Sequence, residues 1–144
     1  MIEIERKFLV INNEYRNAEC VRIRQGYVCS ADNRVVRVRT KDDHGFLTLK
    51  NATVGFARNE YEYAIPLADA IEMLETMCRK PIIDKTRYLY GYAGHLWEVD
   101  EFHGSHEGLV VAEIELEHET DTFEKPSFIG EEVTGNPKYY NSNL

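Results

Sequence analysis

The sequence predicts an α+β domain: a largely antiparallel sheet of eight strands with one clear helix. Its dominant hydropathy rhythm has a period of two residues, as strands buried on one side require. Turn signals divide that rhythm into eight segments. Helical spacing replaces it clearly only once, at 67–78. Eight antiparallel strands suffice to close a barrel.

The first strand is expected at 2–10, where Glu3, Glu5 and Lys7 alternate with Ile2, Ile4 and Phe8. CVRIRQGYVC at 20–29 gives the second. NRVVRVRT at 33–40 and GFLTLK at 45–50 read as a hairpin around KDDHG. FARNEYEYAI at 56–65 is the fifth, stopped by Pro66. In LADAIEMLETMC, residues Ile71, Leu74 and Met77 or Cys78 share a helical face, and Asp69 and Glu72 lie early in the helix. Pro81 ends it. Strand character returns at 82–92, 95–102 and 108–119. From Asp121 the tail is mixed, with Pro126, Gly130, Gly135 and Pro137 marking short turns or helical pieces tied to the body.

A chain of 144 residues fits one domain, 1–144. Its net charge of −8 argues against non-specific binding to nucleic acid or to an anionic membrane. A local basic pocket could still take a small anion. The three cysteines are odd in number and form no C-x-x-C, which fits reduced thiols and a cytoplasmic location. The charged first residues do not resemble a signal peptide, and no apolar run of about 18 residues suggests a membrane span.

Alternation sorts the charges onto one face of seven of the eight strands. Acid pairs fall on the first strand and the last two, while bases gather on middle strands. One reading is a solvated sheet face. The other is an inverted barrel whose charged faces line a lumen and whose apolar faces look outward. That barrel needs an outer cover: the 67–78 helix, the tail or a second subunit. Buried charges become tolerable there if opposite charges, a divalent metal and a polyanionic ligand meet in a wet tunnel.

The motif EIERK, followed in order by RQGYV, VVRVRT, FLTLK, RNEYEYAIP, IDKTRY, WEVDEF, GLVVAEIELE and GEEVTGNPKYYN, resembles the CYTH domains, or triphosphate tunnel metalloenzymes. The order and spacing resemble their short, single-domain bacterial branch. The resemblance implies a closed eight-stranded antiparallel β-barrel with a charged tunnel and a few flanking helices. It implies a small triphosphate substrate and Mg²⁺ or Mn²⁺; the outward apolar strand faces, for their part, allow a homodimer as one cover.

It also implies roles. Glu3, Glu5, Asp100, Glu113 and Glu115 match acidic positions that serve the metal. Lys7, Arg37, Arg39, Lys50, Arg58 and Arg87 match bases that hold the triphosphate. Lys138 stands where arginine is frequent, and Ala57 where serine is common. Lys85 and Tyr27 match a lysine and tyrosine implicated in catalysis. Glu60, Glu62 and Glu98 are supporting tunnel acids. The expected activity is a metal-dependent triphosphatase acting on inorganic triphosphate or a small organic triphosphate. Alternatives are a class IV adenylyl cyclase making cyclic AMP, for which no adenine-pocket signature is present, and a non-catalytic polyphosphate- or nucleotide-binding module, which would not need the full acidic set.

His103 and His106 lack a third metal ligand at suggestive spacing, so FHGSHEG reads as a polar loop. Neither the P-loop nor the Rossmann glycine pattern occurs. Trp97 is expected on the outer face, and Tyr139 and Tyr140 to pack the tail onto the barrel.

Overall fold

The structure, a computed structural model, describes residues 2–144. Nine strands form one antiparallel sheet: β1 (Ile2–Val10), β2 (Glu19–Ala31), β3 (Arg34–Lys41), β4 (His44–Lys50), β5 (Ala57–Ile65), β6 (Ile83–Tyr92), β7 (His95–Phe102), β8 (Val110–Glu115) and β9 (Ile129–Glu132). One helix, α1 (Leu67–Thr76), and short 3₁₀ turns complete the described residues. Around the sheet the order is β5-β4-β3-β2-β6-β7-β8-β1, and a β5–β1 pairing closes the ring.

The closed eight-stranded barrel is therefore present, with β9 as an unexpected extra strand. Closure is short: Ile2, Glu3 and Ile4 pair with Asn59, Arg58 and Ala57. Further along the same edge of β1, Phe8 and Val10 pair with Glu132 and Ile129 of β9. The four residues of β9 are too few to show a period in sequence.

Tight turns set the hairpin registers. Asp32 and Asn33 have φ of 53° and 62°, and Ala93 and Gly94 have 50° and 81°. Two consecutive left-handed residues match the twist of a two-residue hairpin, so β2 runs on to Ala31 and β3 starts at Arg34. The eighth strand is shorter than the expected 108–119. After Glu115 only the Leu116 amide still bonds Ile4, and His118–Asp121 then forms a turn.

The apolar faces do look outward. Phe8, Trp97, Val99, Ala112 and Ile114 pack under Tyr15, Phe123 and Phe128 from the flanking loop and the tail. Trp97 is fully buried there, as expected. Elsewhere α1 lays Ala70 and Leu74 on Val38 and Leu47. Glycine makes this approach possible: a Cβ on Gly45 would stand 2.8 Å from that of Ala70, and one on Gly26 2.6 Å from that of Cys78. The helix and the tail thus supply much of the cover. Leu49, Tyr61 and Tyr63 on β4 and β5 stay exposed.

The lumen is not charged from end to end. Following each inward face past its charges leads to Leu9, Ile23, Ile83, Phe102 and Val111. Ile83, Phe102 and Val111 pack together with Leu109, Tyr139 and Leu144 into an apolar floor.

Candidate active site

Above that floor lies a cavity of about 520 Å³. Glu3, Glu5, Lys7, Tyr27, Arg37, Arg39, Lys50, Arg58, Glu60, Glu62, Arg87, Glu98, Glu113 and Glu115 all line it. Three expected site residues do not. Lys85 and Asp100 are buried just beneath the lining. Lys138 is exposed outside it, with its ammonium 5.5 Å from the Tyr139 ring centre.

Barrel order divides the charges into two halves. β5, β1, β8 and β7 are contiguous and carry Glu60, Glu62, Glu3, Glu5, Glu113, Glu115, Glu98 and Asp100. β6, β3 and β4 carry Lys85, Arg87, Arg37, Arg39 and Lys50, with the neutral lumen side chains Gln25 and Tyr27 on β2 between them. Lys7 and Arg58 are the bases set within the acidic half.

Where the halves meet, ion pairs form. At the β6–β7 border Arg87 donates Nε and Nη2 to the two oxygens of Asp100, at 2.8 and 2.9 Å, and Nη1 to Glu98 at 3.2 Å. The Lys85 ammonium lies 2.7 Å from Asp100 Oδ2 but makes no well-aligned hydrogen bond. Both Asp100 oxygens are thus occupied by cations. In this arrangement Asp100 anchors Arg87 and Lys85. Burial opposes ionisation of Asp100, but Arg87 and Lys85 outweigh it and hold its pKa at about 2. Burial drives the Lys85 pKa down to about 7; Asp100 resists this, while Arg87 and Arg39 add to it.

At the β4–β5 border Lys50 reaches Glu3 at 3.1 Å and Glu60 at 3.2 Å. Arg37 donates to Thr48, whose hydroxyl donates to Glu62 at 2.8 Å. These three residues face one another across β3, β4 and β5. Arg58 sits at the rim and donates to the carbonyls of Asn51 and Asn33.

Inside the acidic half, carboxyls crowd. Burial and a hydrogen bond shared with Glu60 raise Glu3 to about 7. Glu60 is held at about 2: burial opposes ionisation, but the hydrogen bond with Glu3 and the Lys50 charge prevail. Burial and the Glu113 charge raise Glu5 well above the usual carboxylate range. Glu113 stays low because Lys7, 3.8 Å away, and the Glu5 hydrogen bond outweigh its burial.

Among the described residues no three acid, histidine or cysteine side chains converge in a ready-made metal cage. The donors nevertheless fit a hard divalent cation. Mg²⁺ takes one or two carboxylates plus water and substrate phosphate rather than an all-protein cage. Glu3–Glu60 and Glu5–Glu113 are all-oxygen pairs in which burial and the neighbouring acid raise one member, and a cation would relieve the same repulsion.

Sequence reasoning missed the neutral residues. Gln25 and Thr48 lie on the same alternating faces as the charged set, so the period already placed them inward; the search for charge passed over them. The tail was missed for another reason. Val133–Gly135 and Asn141–Asn143 line the cavity, and no period announces them. Lys7 donates to the Tyr139 carbonyl at 2.9 Å, Arg79 donates to the Ser142 carbonyl, and Tyr139 and Tyr140 are half-buried. His103 is bonded to Thr86.

The sequence profile of the CYTH domain matches residues 1–142. An inorganic triphosphatase of Acetivibrio thermocellus is 52% identical over 143 residues, which cover 99% of this chain and 92% of that protein. An inorganic triphosphatase of Nitrosomonas europaea is 36% identical over 148 residues, covering 100% of this chain and 97% of the relative. The crystal structure of an inorganic triphosphatase superposes with a TM-score of 0.71 at 34% identity, covering 98% of this chain and 92% of the other.

Proposed function

The chain belongs to the CYTH family, and from that premise we propose that it is a divalent-metal-dependent triphosphatase. Its substrate is inorganic triphosphate or a small organic triphosphate, hydrolysed inside the barrel. The observation that carries this reading is the two-halved lumen: an acidic half suited to cations faces a basic half suited to phosphate across about 520 Å³.

Glu3, Glu5, Glu113 and Glu115 would hold Mg²⁺ or Mn²⁺. When bound, the cation supplies neutralisation of phosphate charge and a more nucleophilic water. Arg37, Arg39, Lys50, Arg87 and Lys7 position the triphosphate and stabilise charge that builds on it during transfer. Water attacks a terminal phosphorus, its proton passes to a lumen carboxylate, and the P–O–P bond breaks to release pyrophosphate and phosphate. Lys85, whose pKa burial lowers to about 7, has donor capacity left for a phosphate oxygen at the bottom of the lumen. Tyr27 lines the cavity beside Gln25. Arg58 braces the rim, and Glu60, Glu62 and Glu98 orient the bases.

Three free cysteines suit a reducing cytoplasm, and no helix among the described residues is long and apolar enough to cross a membrane. A second copy of the chain over Leu49, Tyr61 and Tyr63 would complete the outer cover, which light scattering tests. The functional test is product chromatography after incubation with tripolyphosphate or ATP and Mg²⁺ or Mn²⁺. Pyrophosphate plus phosphate from tripolyphosphate is expected. Cyclic AMP from ATP would replace the reading with a cyclase, and tight binding without turnover with a binding module.

A further inference from the structure

We propose that Gln25 is a positioning residue of the lumen: it fixes the Arg39 guanidinium without neutralising it and turns the Tyr27 hydroxyl proton toward the cavity. The proposal rests on the triphosphatase reading for its kinetic consequences, but not for its effect on anion binding.

Gln25 is fully buried. A buried amide is costly unless its polar atoms are paired, and both ends of this one are used. Arg39 Nε donates to Gln25 Oε1 at 2.8 Å. Gln25 Nε2 donates to the Tyr27 hydroxyl at 3.1 Å. The orientation of the amide is fixed by chemistry: a guanidinium nitrogen can only donate, so the carbonyl end must face Arg39. The NH₂ end then faces Tyr27, and an amide NH₂ also only donates. The phenol oxygen is therefore the acceptor in that contact. Its own proton must point elsewhere, and Tyr27 lines the cavity.

The second observation concerns charge. Among the described residues, Lys7, Arg37, Lys50, Lys85 and Arg87 on the inward faces of β1, β3, β4 and β6 have a carboxylate within 4 Å, pairing with Glu113, Glu62, Glu3, Asp100 and Asp100 respectively. Among the buried bases there only Arg39 lacks one; Lys41, half-buried at the end of β3, also lacks one. Arg39 is 7% exposed and has no such partner. Its fixed neighbour is a neutral amide; burial, and then the nearby Arg37 and Arg87, disfavour its charge. A carboxylate at position 25 would orient the guanidinium equally well and cancel it. An amide orients it and leaves its positive charge, and its outer Nη groups, for an incoming phosphate. The hydroxyl of Tyr27 is aimed into the same space.

Gln25→Glu tests this with almost no change of shape. The new carboxylate pairs with Arg39 and accepts from Tyr27, reversing the phenol. The dissociation constant of tripolyphosphate, measured by calorimetry without turnover, should rise at least about tenfold. KM should rise with it, and kcat should fall through the reversed phenol and the neutralised Arg39. In Tyr27→Phe, adding Gln25→Glu should lower kcat by a smaller factor than it does in the wild type, because only the Arg39 contribution is left to lose, while KM still rises. Gln25→Met keeps Arg39 charged but releases both partners, so kcat should fall with a smaller loss of affinity than in Gln25→Glu. This variant keeps the test open if the glutamate variant does not fold. Wild-type affinity in Gln25→Glu, weaker binding by Gln25→Met than by Gln25→Glu, or full additivity with Tyr27→Phe in kcat would each overturn the proposal. Failure of the wild-type protein to hydrolyse tripolyphosphate would instead overturn the triphosphatase reading, and the binding comparison would still decide the charge argument.

Discussion

The acidic and basic halves of the lumen bury charge in different ways. The acidic half, β5–β1–β8–β7, relieves crowding by holding protons: Glu3 and Glu5 are raised while Glu60 and Glu113 stay ionised beside them. The basic half relieves it by pairing at its borders and, at Arg39, by a neutral partner. Metal binding to carboxylates requires their ionised form, so raised carboxyls would release protons to a bound cation. Arg39, fixed through its Nε, keeps its Nη donors for an anion. The difference suits one half to metal and the other to phosphate, although both are built from the same alternating strands.

The sharpest way to break this comparison is at the border lysine. Lys85→Ala should lower kcat by about 10²–10³-fold, the usual cost of one contact to transition-state charge. Its melting temperature should not fall in proportion, because Asp100 keeps the bidentate contact of Arg87. Full activity in steady-state assays would remove Lys85 from the machinery.

A smaller effect would sharpen the account of the acidic half. Below pH 7 a cation must displace the proton held near Glu3, so apparent Mn²⁺ affinity should rise by up to about tenfold per pH unit and level off above about 7. Calorimetry in buffers of different ionisation enthalpy reads the released proton directly, and Glu3→Gln should flatten the dependence. The same raised pKa fixes a sign for stability. Between 4.5 and about 7 the folded cation-free protein holds a proton that the unfolded chain has lost. The contribution of Glu3 to stability is therefore fully present below 4.5 and is lost as the pH rises through 7.

The smallest effect is expected outside both halves. Lys138 is exposed and clear of the cavity, so Lys138→Ala should change stability by no more than about 0.5 kcal/mol and leave kcat/KM unaltered. A clear loss of activity would show that the tail brings Lys138 to the substrate.

Much of this site is legible in the sequence because inward and outward faces alternate residue by residue. Glu3, Glu5 and Lys7 needed only the period of β1 to be placed together, and Trp97 and Glu98 only that of β7. Depth and partnership were not legible. Asp100 has the same local pattern as Glu98, yet it lies beneath the lining because Phe102 and the apolar floor are one step further along its strand, and the register of β6 sets Arg87 directly opposite. Lys138 belongs to a segment without a period, so its direction depended on how the tail docks.

The sequence by itself determined the eight barrel strands, apart from the end of the last, and which side chains share each face, because side-chain direction along a strand is a local property of the backbone. Only the tertiary structure decided that acids from the first, fifth, seventh and eighth strands stand side by side, since that needs β5 to meet β1. It alone set Gln25 between Arg39 and Tyr27, gave Asp100 to two cations and brought β9 and the tail against the lumen. Those relations depend on register and closure, which join residues too distant in the chain for any local pattern to relate them.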